Sequence, residues 1–274
     1  MQISAIAIYP VKSLGAIALS SAEVGPRGMA GDRRWMIVDA GGRFVTRREC
    51  PALARIGIRP GDAGDFHLTG PEAGMAARLP FVPEGGLPGE VRVWRDIVPA
   101  RLFDNDASRL ISATAGRPLR LAYMPDDVRR PVDPRYGRNG DMVSFADGYP
   151  ILLASGASLD ALNAALEQPV PMDRFRPSLV VSGAGLEAWA ETRWRRVRAG
   201  DVLLDLIKPC SRCIVITQDH RTGERPDGAA PLKALRALGR FDGSGVLFGE
   251  NAIPRRTGRV AVGDRVGVEE EGQG

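Results

Sequence analysis

Short runs of alternating apolar and polar residues dominate the chain, and few stretches carry the three-to-four spacing of a helix. Gln2–Tyr9 sets Ile3, Ala5 and Ala7 against Ile6 and Ile8, which predicts a largely buried strand stopped by Pro10. Trp35–Val38 and Arg43–Thr46 flank Asp39-Ala40-Gly41-Gly42, the signature of a hairpin. Further strands are predicted at Ala54–Ile58, Glu90–Trp94 and Arg120–Met124. The Gly- and Pro-rich stretch from Gly61 to Gly89 predicts loops and edges.

Asp126 to Asp141 is polar, rich in arginine and broken by Pro131 and Pro134, so it reads as a domain link or a mobile loop beside a site. Beyond it, Ser158 is placed to cap a helix carrying Leu159, Leu162 and Leu166. Strands follow at Ser178–Ser182, Val202–Ile207 and Cys213–Thr217. Pro231 opens a short helix with Leu232, Leu235 and Leu238, which Gly239 ends. Arg259–Val262 and Asp264–Val268 are expected as a final strand pair. No internal repeat is visible. The predicted class is mainly β with a few helices (α+β), arranged as two barrel-like units.

Composition narrows the function classes. With 274 residues, 44% hydrophobic and 26% charged, the chain can bury a substantial core. No run approaches the roughly 18 apolar residues that cross a bilayer, and Met1–Ser13 lacks a basic leader. A cytoplasmic protein with no membrane partner is expected. The net charge of +4 does not signal nucleic acid: of 37 basic residues only Lys12, Lys208 and Lys233 are lysines, and the arginines interleave with acids rather than aromatics.

Three cysteines, Cys50, Cys210 and Cys213, argue against a disulfide scaffold. The strongest chemical signal is Lys208-Pro209-Cys210-Ser211-Arg212-Cys213-Ile214-Val215-Ile216-Thr217. Structural zinc takes four ligands, usually as two such pairs, and no second pair exists. A thioredoxin-like pair opens a helix, whereas the β-branched run after Cys213 predicts a strand. Two half-buried cysteines acting as small hydrophobes also account for the motif. Basic residues at predicted strand ends favour a phosphate-bearing ligand: Lys12 beside Ser13, Arg47 with Arg48, Arg174 with Arg176, and Arg212 between the thiols.

Tyr9-Pro10-Val11-Lys12-Ser13, the Asp32-Arg33 to Arg48 stretch, Asp147-Gly148-Tyr149-Pro150-Ile151-Leu152-Leu153, Phe175-Arg176-Pro177-Ser178, Cys210-Ser211-Arg212-Cys213 and Gln218-Asp219-His220-Arg221-Thr222-Gly223 stand in one order. In this the chain resembles the molybdenum-cofactor sulfurase C-terminal (MOSC) family, and within it the amidoxime-reducing components and their bacterial relatives. The similarity runs from about Gln2 to Val268.

The resemblance implies a β-rich N-terminal MOSC-associated domain over 1–120, a MOSC β-barrel over 121–274, and a molybdenum–molybdopterin cofactor between them. Cys213 matches the family's metal ligand. Lys12 and Ser13 match contacts to the pterin phosphate, Arg48 another cofactor contact, and Ser211 and Arg212 contacts beside the metal. Arg176 and Ser178 fall in the family's Arg-Pro-Asn, Ser178 replacing the commoner Asn. Asp147 matches an acidic position on the substrate side, where it either assists proton delivery or caps a turn. The implied activity is reduction of N-hydroxylated or other N- or S-oxygenated small molecules; the alternative is a non-catalytic cofactor-binding or sulfur-carrier protein. Electrons are expected from a separate ferredoxin-like, flavoprotein or cytochrome donor, since no cysteine cluster for an iron–sulfur centre is present. Pyridoxal phosphate is not expected.

Overall fold

A computed structural model describes residues 1–272, so the last two residues of the expected 121–274 unit lie outside the described residues. The chain is mostly strand, with three α-helices among the described residues. Its largest sheet has eight strands, in the order Val266–Glu271, Trp194–Ala199, Val202–Arg212, Val246–Arg256, Ile151–Ser155, Leu179–Ser182, Gln2–Ile8, Ile17–Leu19. This sheet therefore takes two strands from the first twenty residues and six from beyond residue 150. Its pairings are antiparallel except Ile151–Ser155 with Leu179–Ser182, whose crossover carries the helix Gly156–Asn163. A four-stranded sheet joins Trp35–Val38, Arg120–Tyr123, Asp96–Phe103 and Leu87–Val93. One apolar core runs from Ile3 through Trp35 and Leu121 to Val266, uniting the two ends of the chain. No helix among the described residues is long and apolar enough to cross a membrane.

Several expected elements take other forms. Arg43–Thr46 keeps the hairpin turn but contributes isolated bridges rather than a strand. The Thr46 carbonyl accepts from the backbone N–H groups of Glu49 and Cys50, which turns the chain there. Ala54–Ile58 is not a strand: Pro51 opens a 3-10 turn over Pro51–Arg55, and the strand begins only at Gly57. The Gly61–Gly89 stretch holds strands Phe66–Thr69, which pairs with Gly57–Pro60, and Ala76–Leu79, which pairs with Phe66–Thr69. Ser155, not Ser158, caps the second helix; Ser158 Oγ instead donates to Glu191 Oε1 at 2.7 Å. The last two strands do not pair with each other. Gly258–Ala261 joins Ser21–Gly25, and Val266–Glu271 joins Trp194–Ala199. A helix at Asp106–Ala115, capped by Asn105 and closed by left-handed Gly116, was not anticipated.

The arginine-rich segment 126–141 lacks regular structure yet is fastened down. Arg255 holds Asp141 at 2.7 Å and Asp205 at 2.7 Å. Buried Arg130 donates to the carbonyls of Ser144 and Ala146 at 2.8 and 2.6 Å, and pairs with Asp96 at 2.8 Å. These arginines anchor the segment and thereby fix the residues that follow it.

Candidate functional site

The richest chemical constellation is a cleft, partly open to solvent, between the segments around residues 12–48 and those around 146–251. Three stretches build its walls. Residues 9–12 leave the first strand at Pro10 and are pinned beside 33–35, Lys12 N–H donating to Trp35 O and Arg33 N–H to Tyr9 O. The Phe145 N–H donates to Arg33 O, which together with Arg130 sets the Ala146–Pro150 wall. Gly28, at φ 91°, lets that wall approach: a Cβ there would lie 2.5 Å from Pro150 O. The Val202–Arg212 strand and its turn bring in the thiols.

Six cations line the cleft (Lys12, Arg33, Arg47, Arg48, Arg176, Arg212) against one carboxylate, Asp147. Buried Lys12 donates to Phe145 O at 2.8 Å and Asp147 Oδ1 at 2.5 Å. Desolvation in the cleft raises the Asp147 pKa, but the charge and hydrogen bond of Lys12, with Arg48 and Trp94, outweigh it and hold the carboxyl well below the usual range. Desolvation lowers the Lys12 pKa, an effect that the charge and hydrogen bond of Asp147 oppose. Desolvation also lowers Arg47, and, with the charges of Arg33 and Arg47, brings Arg176 down to about 9. Tyr9, buried and pushed up to about 12 chiefly by desolvation, lies between two guanidinium groups, Arg33 Cζ at 4.2 Å and Arg176 Cζ at 4.1 Å. The Nε atoms of Arg47 and Arg212 are buried without a partner. Cations crowded where water is scarce, with donors left over, form a receptor for a multiply charged anion.

Backbone strain clusters at the same place. Among the described residues, five non-glycine residues have positive φ, and three of them line the cleft: Ser13 at 76°, Arg33 at 46° and Arg176 at 56°. A fourth, Trp94 at 56°, stacks on cleft residue Arg48.

The thiols sit at one end. Cys213–Thr217 is not a strand: the chain leaves the sheet at Arg212, and Ile214–Thr217 forms a 3-10 turn preceded by Cys213. Thr217 Oγ donates back to Ile214 O at 2.7 Å, and Ile216 is buried in the core beneath the third helix, Ala230–Ala237. A bulge between Pro209 and Ser211 and the turn after Arg212 together bring both cysteines to the cleft. Cys210 Sγ accepts from Arg212 Nη1 at 2.8 Å, whereas Cys213 is exposed in the cleft. Cys50 is buried in the core, remote from this chemistry.

Of the residues anticipated from the sequence, Lys12, Ser13, Arg48, Asp147, Arg176, Arg212 and Cys213 line the cleft together. Ser178 and Ser211 do not. Ser178 is buried behind the wall, its Oγ 3.5 Å from Leu152 N, and Ser211 is exposed on the strand between Cys210 and Arg212. Arg33, Tyr149 and Asn251 line the cleft without having been singled out; Arg33 and Tyr149 lay inside the recognised motifs, whereas nothing local marked Asn251.

Fold and cleft define a class: a β-rich protein in which an N-terminal and a C-terminal segment enclose a cationic, thiol-bearing cleft. The comparisons make the family plain. Residues 1–118 match the MOSC N-terminal beta barrel domain and 140–267 the MOSC domain; the chain belongs to the MOSC family. Mitochondrial amidoxime-reducing component 1 of Xenopus laevis is 32% identical over 96% of this chain and 81% of its own length. The Homo sapiens protein of that name is 31% identical over 94% and 80%. The molybdenum cofactor sulfurase of Oryza sativa subsp. japonica is 26% identical over 91% of this chain but 32% of its own length.

Proposed function

We propose that the protein binds a molybdenum–molybdopterin cofactor in this cleft and reduces N-hydroxylated or related N- or S-oxygenated small molecules, taking electrons from a separate donor protein. The observation that carries the reading is one accessible thiol, Cys213, facing a six-cation cleft. Among the described residues no group of three or more His, Cys, Asp or Glu could hold a metal ion. The donor set therefore suits a metal that arrives with its own sulfur ligands and takes one further thiolate. The desolvated cations and unpaired guanidinium Nε atoms suit the phosphate that accompanies it.

In this reading Lys12, Ser13, Arg48 and Arg176 hold the phosphate, and Arg212 fixes the Cys210 thiol while Cys213 takes the metal. When bound, the cofactor supplies two-electron oxygen-atom chemistry. The chain's residues supply charge and protons: R–NHOH, two electrons and two protons give R–NH2 and water. Lys12 Nζ holds a proton at the cleft wall, and ionised Asp147 keeps it oriented, so Asp147 acts by positioning Lys12 rather than as an acid itself. The kinship of the sulfurase sequence keeps a cofactor-carrier role as the second reading.

Protein produced in a cofactor-competent host should carry molybdenum and pterin near one per chain and reduce a hydroxylamine with a reduced viologen dye. Cys213→Ala should lose the turnover and alter the thiolate-to-metal absorption while remaining folded; Cys210→Ala should keep most of both. Stoichiometric zinc in place of molybdenum, or full activity in Cys213→Ala, would overturn the assignment. Cofactor binding without turnover of any oxygenated nitrogen compound would favour the carrier role.

A further inference from the structure

A second groove opens at the mouth of the cleft and shares Thr46 and Arg48 with it. Its centre is Trp94, in the two-residue turn that joins Leu87–Val93 to Asp96–Phe103. Such turns favour Gly or Asn because φ is positive, yet here a tryptophan stands at 56° and remains 42% exposed. Folding gains little from a large ring that is both strained and half in water, so its presence calls for another account. The ring is held rather than loose. Nε1 donates to Asp147 Oδ1 at 3.2 Å, Phe44 lies 5.1 Å away, and Arg48 Cζ is 4.5 Å from the ring centre.

The charges around it are unequal. Arg43 is taken up by Asp39 at 3.3 Å and Glu49 at 3.2 Å, and Arg95 lies 3.6 Å from Asp133. Arg48 and Arg92, also lining the groove, have no carboxylate partner among the described residues. A flat apolar face beside the unpaired Arg92 guanidinium, opening onto the thiol-bearing cleft, is a receptor for a planar molecule with an anionic substituent.

We propose that this groove is the substrate-selecting subsite, in which Trp94 packs against a planar aromatic or heteroaromatic substrate and Arg92 receives its carboxylate or phosphate. The inference rests on the reduction proposed above and names the substrate class for it. Trp94 and Arg92 are specificity residues; the reaction itself stays with the cleft.

The test compares benzamidoxime with para-carboxybenzamidoxime, using cofactor-loaded protein and a reduced viologen dye. Wild type should show a KM lower by about fivefold for the carboxylated compound, the size of one charge-assisted contact at a partly exposed site. Arg92→Gln should abolish that preference and leave the constants for benzamidoxime unchanged. Trp94→Gly should raise KM for both compounds at unchanged or increased Tm, since glycine relieves the positive φ. The proposal is overturned if Arg92→Gln keeps the preference, or if Trp94→Gly leaves both KM values alone. It is also overturned if Trp94→Gly lowers Tm, which would make the ring structural. If neither amidoxime is turned over, the reduction fails but the subsite is still decided by calorimetry. Para-carboxybenzamide should then bind more tightly than benzamide, and Arg92→Gln should erase the difference; equal affinities would reject the subsite.

Discussion

Glu250 immediately precedes cleft residue Asn251 on the Val246–Arg256 strand, and alternation sends its side chain to the opposite face of the sheet. It is 3% exposed, its Oε1 has no partner, and burial together with the nearby Glu191 charge pushes its pKa up to about 8. Glu191, by contrast, accepts from the hydroxyls of Ser155 and Ser158. The unfolded chain releases the Glu250 proton near 4.5, while the folded chain keeps it to about 8. Its contribution to stability is thus full below the lower value, falls as pH rises through that window, and is gone above the upper one. Glu250→Gln should flatten the decline of Tm between those pH values and stabilise the protein at alkaline pH by about 1–3 kcal/mol. A parallel pH profile in wild type and variant would remove Glu250 as the cause. The same residue shows what the sequence withholds: a glutamate in Phe-Gly-Glu-Asn reads as surface, and only the strand's central place in the sheet buries it. The site residues carried by recognisable motifs were largely legible, seven of them meeting in one cleft. Ser178 and Ser211 lie off the cleft lining, since a linear motif does not say which face its alternate members present.

Elements were legible where their determinants are local. The Asp39–Gly42 turn forms with Asp39 Oδ1 accepting from the N–H groups of Gly41 and Arg43, and Pro231 and Gly239 bracket the third helix. Where partners are distant, the reading failed: Gly258–Ala261 finds its partner more than 230 residues away, and no periodicity encodes that pairing. The β-branched run Ile214–Thr217 has strand propensity, but burial of Ile216 beneath the third helix and the Thr217 hydroxyl bond favour a tight turn instead. Segment 126–141, polar and broken by prolines, reads as a domain link or a mobile loop; in the fold its Arg130 is 3% exposed and binds four acceptors, three of them on residues 144–147. Removing that guanidinium leaves the Ser144 and Ala146 carbonyls and Asp96 without their donor. Arg130→Ala should therefore cost about 3–5 kcal/mol of stability. Proteolytic cleavage within 126–141 should accelerate with it, ahead of global unfolding. Unchanged protease resistance would show that the Arg255 pairs alone hold the segment.

At the scale of the whole molecule, the cleft lies between segments 12–48 and 146–251, and it gathers more positive charge than its single carboxylate can balance. The folded protein keeps Arg176 desolvated with no carboxylate in salt-bridge contact among the described residues, a cost the unfolded chain does not bear. An anion that bridges Lys12 and Arg48 on one side to Arg176 and Arg212 on the other should remove that cost and bind only the folded state. Linkage then raises stability by about 2.7 kcal/mol at a hundredfold excess over Kd. For a chain of this size that corresponds to a rise in Tm of roughly 5–10 °C. Pyrophosphate is a suitable probe, because two linked phosphates span several guanidinium groups, with sodium chloride at equal ionic strength as the control. Arg176→Gln should lose most of the pyrophosphate shift, while its own Tm without the anion should match or exceed wild type, since a desolvated charge has been replaced by a neutral amide. Equal shifts from chloride and pyrophosphate would mean that general screening, not a built anion receptor, stabilises the fold. An undiminished pyrophosphate shift in Arg176→Gln would place the anion outside the cleft and remove the charge argument for the cofactor's phosphate.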